Sequence, residues 1–297
     1  MWVWIPAALG VYIASGLLLT LLLWRNRIIP PQGSPADFAL SFNEVWFPTV
    51  NGKRLHGWLV APAHHGSPQA LPVLILVHGW GRNAARTLVY LQAVGGAGFG
   101  ALAFDARNHG LSDRDGYASM KKFSEDIEAA ANFLETEGFP HPYGVIGLSI
   151  GGSAALHAAA CDGRLGPVVT IGAFAHPRDA MLALGFGRWL FAPIAPVLFR
   201  FIEWYLGAPL DSLAPEGLFH RIQAPVLLIH GERDQVVPVS HARRLYAKGG
   251  ATTKLLLLPN RGHSDVHLER GLLETVVTFL LENASLVPTG AAANPLP

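Results

Sequence analysis

Ser149 stands between two glycines in Gly147-Leu-Ser149-Ile-Gly151, directly after a short apolar run and just before an alanine-rich one. Further along come Asp234, in His230-Gly-Glu232-Arg-Asp234, and then His263, in Asn260-Arg-Gly-His263-Ser-Asp265. Serine, aspartate and histidine together allow one particular chemistry. A serine hydroxyl is a poor nucleophile at neutral pH and attacks a carbonyl only with a base beside it. A histidine is the usual base, and a carboxylate fixes its tautomer. Glu232 and Asp265 are close enough in sequence to stand in for Asp234. Two further groups carry polar residues among glycines: His78-Gly-Trp80-Gly-Arg82 and Asp105-Ala-Arg107-Asn108-His109-Gly110-Leu-Ser112.

Something must bring these groups together, and the apolar runs show what. Val73–Val77, Gly100–Phe104, Tyr143–Gly147, Val168–Gly172, Val226–Ile229 and Lys254–Leu258 are short and mostly apolar, as strands buried on both faces are. Ahead of them Glu44–Val50 and Arg54–Ala61 flank Asn51-Gly52, a hairpin signal. Helical patterns over Ser119–Glu137, Ser153–Ala160 and Gly271–Glu282 separate or close the series. Strands alternating with helices imply a mostly parallel sheet covered on both faces. Sites in such sheets form beyond the carboxyl ends of the strands, which is where each polar group above falls.

The order Ser, Asp, His on this pattern resembles the α/β-hydrolase superfamily, over roughly Glu44–Asn283, and most of all its membrane-anchored, lipase-like serine hydrolases with a helical cap. Gly147-x-Ser149-x-Gly151 looks like the nucleophile elbow. Asp105–Ser112 is similar to the family's D-x-R-G-H-G-x-S loop, with Asn108 in place of a glycine. The resemblance implies Ser149 as nucleophile, His263 as base and Asp234 as the orienting acid. It places the oxyanion hole at the backbone N–H groups of Ile150 and Trp80. His78, Asp105, Arg107 and His109 are expected to brace loops, Cys161 to sit in the core, and His64, His65 and His141 to be surface residues. The mechanism calls for no metal and no cofactor.

The stretch between the fourth parallel strand and Val226, His176–Arg221, exceeds one crossover helix. Within it Ala180–Phe199 has a single charge, Arg188. This reads as a cap of two or three short helices broken at Gly185, Gly187, Pro193 and Pro196. Trp189, Phe191 and Phe199 are expected to line an acyl pocket, or else to pack on the domain beneath or to make a second membrane contact.

Composition limits the partners. Half of the residues, 51%, are hydrophobic, and the net charge of +1 offers no basic field for nucleic acid. One cysteine excludes an intramolecular disulfide. Trp2–Trp24 has no charge. As a helix it would span about 34 Å, against a hydrocarbon core of roughly 30 Å. With no basic residue before it and Arg25 and Arg27 behind it, the run reads as a single-pass membrane anchor rather than a signal peptide, with the catalytic part on the cytoplasmic side. The expected organisation is an anchor with its basic flank over 1–27, a linker over 28–43, an α/β-hydrolase domain over 44–283 with a cap at about 176–221, and a disordered tail over 284–297. The expected activity is hydrolysis of carboxylic esters, with acyl lipids or lysolipids as substrates. A thioesterase, an amidase or a peptidase would use the same residues, and a catalytically silent membrane scaffold is the rival of another class.

Overall fold

The structure, a computed structural model, describes residues 10–18, 29–63, 71–183 and 192–284. Eight strands form one sheet: β1 (Asn43–Thr49), β2 (Lys53–Val60), β3 (Val73–Val77), β4 (Gly100–Phe104), β5 (Tyr143–Leu148), β6 (Leu165–Ile171), β7 (Val226–Gly231) and β8 (Thr253–Leu258). Their order is β1-β2-β4-β3-β5-β6-β7-β8. β1 and β2 form an antiparallel hairpin, and β2 meets β4 antiparallel; every other pairing is parallel. Asn51 and Gly52 turn the hairpin with φ of 60° and 63°, the left-handed backbone that an Asn-Gly pair accepts most readily.

The longer helices are α1 (Leu88–Gly96), α2 (Met120–Thr136), α3 (Ile150–Cys161), α4 (Ala195–Leu206), α5 (Ser240–Lys248) and α6 (Leu272–Asn283). Successive strand residues face opposite ways, and β3 shows the consequence. Val73, Ile75 and Val77 pack in one layer with Phe123, Ile127 and Leu134 of α2 and Ala154 of α3. Leu74 and Leu76 pack in the other with Leu91 of α1 and Val276 of α6. A strand clamped between two apolar layers reads as a continuous apolar run, which is why these strands stood out.

Several segments depart from expectation. The stretch expected as a linker is laid onto the domain. Phe38, Leu40 and Phe42 pack against the α1/α6 layer, and the Asn83 side chain donates to the Ile29 carbonyl at 2.8 Å. Pro196 does not break a helix. It occupies the first turn of α4, where its missing N–H costs nothing. Cys161 ends α3 exposed rather than in the core. The anchor expected over Trp2–Trp24 lies mostly outside the described residues. Residues 10–18 of it are helical, and no helix among the described residues is long and apolar enough to cross a membrane. The tail beyond Ala284 and the His64-His65 pair also lie outside the described residues.

Candidate active site

β5 delivers Ser149 at the point where strand becomes helix. The residue has φ 54° and ψ −120°, a strained conformation for a side chain with a Cβ. The turn is tight enough to demand its glycines. A Cβ on Gly147 would lie 2.5 Å from the Gly151 carbonyl oxygen, and one on Gly151 would lie 2.4 Å from that of His78. Ser149 is thereby pushed out of the chain's path at the start of α3.

Two other strand ends reach it. Ser149 Oγ donates to His263 Nε2 at 3.0 Å, and His263 Nδ1 donates to Asp234 Oδ2 at 2.7 Å. Asp234 is buried and well supplied with donors. The N–H groups of Val236 and Val237 reach its Oδ1 at 2.8 Å each, and His230 Nε2 lies 3.4 Å from its Oδ2. Burial pushes this carboxyl up, but the interactions with His230, His263 and Val237 outweigh it and hold Asp234 well below the usual carboxylate range. It is therefore an anion that accepts only. The two alternative acids are engaged elsewhere: Glu232 is exposed near Arg243, and Asp265 accepts the N–H of Gly262.

Opposite the serine is the loop after β3. A Cβ built on Gly79 would lie 3.4 Å from Ser149 Cβ, so Trp80 enters the site beside Ile150. Neither the N–H of Trp80 nor that of Ile150 has an acceptor among the described residues. Both are free for an oxyanion. Two buried histidines hold this loop. His78 donates from Nδ1 to the Gly79 carbonyl at 2.7 Å and accepts the N–H of Ala106 at Nε2, 3.0 Å. His109 donates from Nδ1 to the Arg107 carbonyl at 2.9 Å and accepts the N–H of Gly81 at Nε2, 3.1 Å. Burial, with His78 adjacent, lowers His109 to about 3, so its ring stays a neutral acceptor. Below them, Asp105 takes the N–H groups of Ala84 and Leu111, and the buried Arg107 side chain pairs with Asp115, Glu125 and Asp126. Asn108 has φ 67°, a backbone that asparagine tolerates in place of glycine.

Ser149 opens into a cavity of about 580 Å³. The cap contributes Met181, Leu206, Leu210 and Leu213 to its wall. Phe199, expected there, is not on that wall. It is buried in the core beneath the Arg178 guanidinium, 5.0 Å from its ring. α4 is apolar enough that sequence alone did not settle which of its residues face inward. Trp189 and Phe191 lie outside the described residues.

The model of the alpha/beta hydrolase family matches residues 74–276, more than half of the chain. The chain belongs to this family. Among known sequences, this α/β-hydrolase is 28% identical over 281 residues to the serine hydrolase BPHL of Mus musculus, an alignment covering 86% of this chain and 92% of the mouse protein. It is 25% identical to the Mycobacterium tuberculosis protein Rv2307c over 94% of this chain and 95% of that one. Among solved structures, the Pyrococcus furiosus esterase Pf2001 superposes with a TM-score of 0.71 at 21% identity, covering 88% of this chain and all of the esterase. At that identity the likeness speaks for the fold alone.

The structure of this α/β-hydrolase thus brings Ser149, Asp234, His263, Trp80 and Ile150 to one place and takes Phe199 out of it. Sequence reading treated His78 and His109 as braces without their partners. Their spacing from the serine carries no signal, because the contacts run between two different strand ends. Arg86 and Tyr90, which also line the cavity, were missed. Arg86 lies in a short 3-10 turn, Ala84–Thr87, and Tyr90 in the apolar helix α1 that follows it, neither of which has a periodic pattern.

Proposed function

We propose that this α/β-hydrolase is a serine esterase acting on carboxylic esters with an apolar acyl chain. The observation that carries the reading is the unbroken relay from Ser149 Oγ to His263 to Asp234, 3.0 Å and 2.7 Å long. His263 Nε2 takes the hydroxyl proton as Ser149 Oγ bonds to the ester carbonyl carbon. The carbonyl oxygen becomes an oxyanion received by the N–H groups of Ile150 and Trp80, a kind of interaction worth about 10²–10³ in rate per donor. The same proton passes to the departing alcohol, leaving an acyl-serine. Water then repeats the sequence: His263 takes its proton, the acyl–oxygen bond breaks, and Ser149 recovers its hydrogen. Asp234 stays ionised throughout and stabilises the charged imidazole. Support for an apolar acyl chain comes from the largely aliphatic cavity wall, since each buried CH₂ is worth about 0.8 kcal/mol.

The uncharged run Trp2–Trp24, with tryptophans at both ends and arginines behind it, supports a second element of the reading. It is a membrane anchor with the catalytic domain on the cytoplasmic side, which would give the cavity access to lipid-like esters. A fluorophosphonate probe should label the full chain and not Ser149→Ala, and the full chain should resist carbonate extraction from membranes. A protein that folds but never labels is a scaffold and not an esterase. Recovery of the intact chain in the carbonate supernatant would remove the anchor alone.

A further inference from the structure

The cavity wall is apolar on its cap side and cationic where the segment after β3 contributes Arg82, Arg86 and Tyr90. No aspartate or glutamate lines it among the described residues, and the undescribed segments contain neither residue type. Neither arginine has a carboxylate partner among the described residues. The Arg82 side chain is exposed at the wall with no partner among the described residues. Arg86 is half-buried and held in place by uncharged acceptors, the Ser264 carbonyl at 2.5 Å and His267 Nδ1 at 3.4 Å. Burial, then the Arg86 charge, lowers His267, so it takes the hydrogen bond without adding a charge of its own.

Tyr90 supplies the second observation. It follows Arg86 by one helical turn, is only 3% exposed, and its hydroxyl has no hydrogen-bond partner among the described residues. That oxygen is not sealed away: no shut-in side-chain N or O atom among the described residues lacks a partner, so the Tyr90 hydroxyl reaches the open space of the cavity. Burial raises this phenol to about 12, against the opposing pull of Arg86, which keeps the O–H as a donor. An exposed arginine alone would mean nothing, since most arginines are on surfaces. Here a half-buried guanidinium with no carboxylate partner among the described residues and a phenol hydroxyl that opens into the cavity line the same space as Ser149.

We propose that Arg82, Arg86 and Tyr90 receive a second, anionic group of the substrate, a carboxylate or a phosphate, so that the physiological esters are anions. This rests on the esterase reading and specifies its substrate class. A guanidinium offers paired donors that match either oxyanion, and the phenol adds a third. The aliphatic cap side then takes the apolar chain, so the cavity reads an amphiphile at both ends. A phosphate or carboxylate placed there also gives Arg86 the counter-charge that the fold withholds.

Binding tests the idea without hydrolysis. With full-length Ser149→Ala, calorimetry should show hexyl phosphate binding at least tenfold more tightly than hexanol. Arg82→Gln and Arg86→Gln should each shrink that ratio at least threefold. The double variant should bring it within twofold of unity, and Arg114→Gln, on an exposed arginine away from the cavity, should not change it. Because Arg86 also holds the Ser264 carbonyl, Arg86→Lys serves as a charge-preserving check that should keep most of the preference. Equal affinity for the two ligands, or a preference that survives in the double variant, overturns the proposal.

Hydrolysis by the wild type then locates the anion. Comparing 4-nitrophenyl hemisuccinate with 4-nitrophenyl butyrate puts the charge in the acyl part. Comparing 1-hexanoylglycerol 3-phosphate with 1-hexanoylglycerol puts it in the alcohol part. At least one charged ester should exceed its neutral twin tenfold in kcat/KM; cleavage with no preference in either pair overturns the proposal. Failure to cleave any of the four would instead sink the esterase reading, with the binding ratio still deciding the cationic site.

Discussion

His109 Nε2 accepts the N–H of Gly81 at 3.1 Å, so a side chain from the loop after β4 sets the loop after β3. Trp80, which lines the cavity and whose N–H has no acceptor among the described residues, is the residue before that anchor point. Removing the acceptor should let the loop drift away from the oxyanion position. His109→Ala is expected to lower kcat about 10- to 100-fold, less than the outright loss of a donor, with KM changing much less. His109→Gln, which can still accept, should recover part of the loss. Because His109 sits at about 3, its own titration lies below the working range and should not appear in the pH–rate profile. Equal falls in kcat and in melting temperature for both variants would make this histidine a packing residue only.

Asp234 gives a second expectation, with its sign fixed by the direction of its shift. Its native carboxyl lies below the ordinary value of 3.8, so it is ionised at every pH at which the enzyme works. The acid limb of kcat/KM should therefore show one ionisation, that of the base, and no second one above pH 4. The depressed value also stabilises the fold. That contribution is fully present above 3.8 and is lost as pH falls through the lower native value. Asp234→Asn should cost about 10⁴ in kcat, and its deficit in melting temperature should narrow below pH 4. If Glu232→Gln or Asp265→Asn abolishes the rate instead, the relay is wired through another acid.

Ser149 stores strain that glycine would release. A non-glycine residue at φ 54°, ψ −120° costs of order 1–3 kcal/mol, whereas the extra chain entropy of a glycine costs roughly 0.5–1 kcal/mol. Ser149→Gly should thus match or exceed Ser149→Ala in stability by up to about 2 kcal/mol, and both should be inactive. Denaturant unfolding of the two variants measures this directly. A clearly less stable glycine variant would show that the elbow is relaxed.

How much of this was legible beforehand follows from what each residue packs against. The strands between two apolar layers announced themselves because both faces are apolar, and Asn51-Gly52 marked the hairpin because few other pairs accept its backbone. Ser149, Asp234 and His263 could be read because each lies just past a strand of a parallel sheet. α1 gave no signal. Its sequence LVYLQAVGG is apolar nearly all round, so no stripe distinguishes helix from buried strand. Cys161 was misplaced because an alanine-rich run does not say where a helix comes out of the core. Phe199 was misplaced for a related reason: where nearly every residue is apolar, pattern cannot choose between the cavity and the core.

That last ambiguity can be decided by experiment. Leu210, Leu213 and Phe199 all belong to one buried core cluster, but only the two leucines also line the cavity. A short acyl group barely reaches the cap, whereas an octanoyl chain exchanges water for these leucines. If a polar replacement costs contact with two or three methylenes, the loss is roughly 1.6–2.4 kcal/mol at ~0.8 kcal/mol per CH₂. At about 1.4 kcal/mol per factor of ten, Leu210→Asn and Leu213→Asn should each lower the octanoate-to-acetate ratio of kcat/KM by about 15- to 60-fold. Phe199→Ala should act differently. Deleting a buried phenylalanine costs about 3–5 kcal/mol of stability, so activity on both esters should fall together with the melting temperature while their ratio stays within twofold. A ratio that moves in Phe199→Ala but not in the leucine variants would put the acyl chain on the other side of α4.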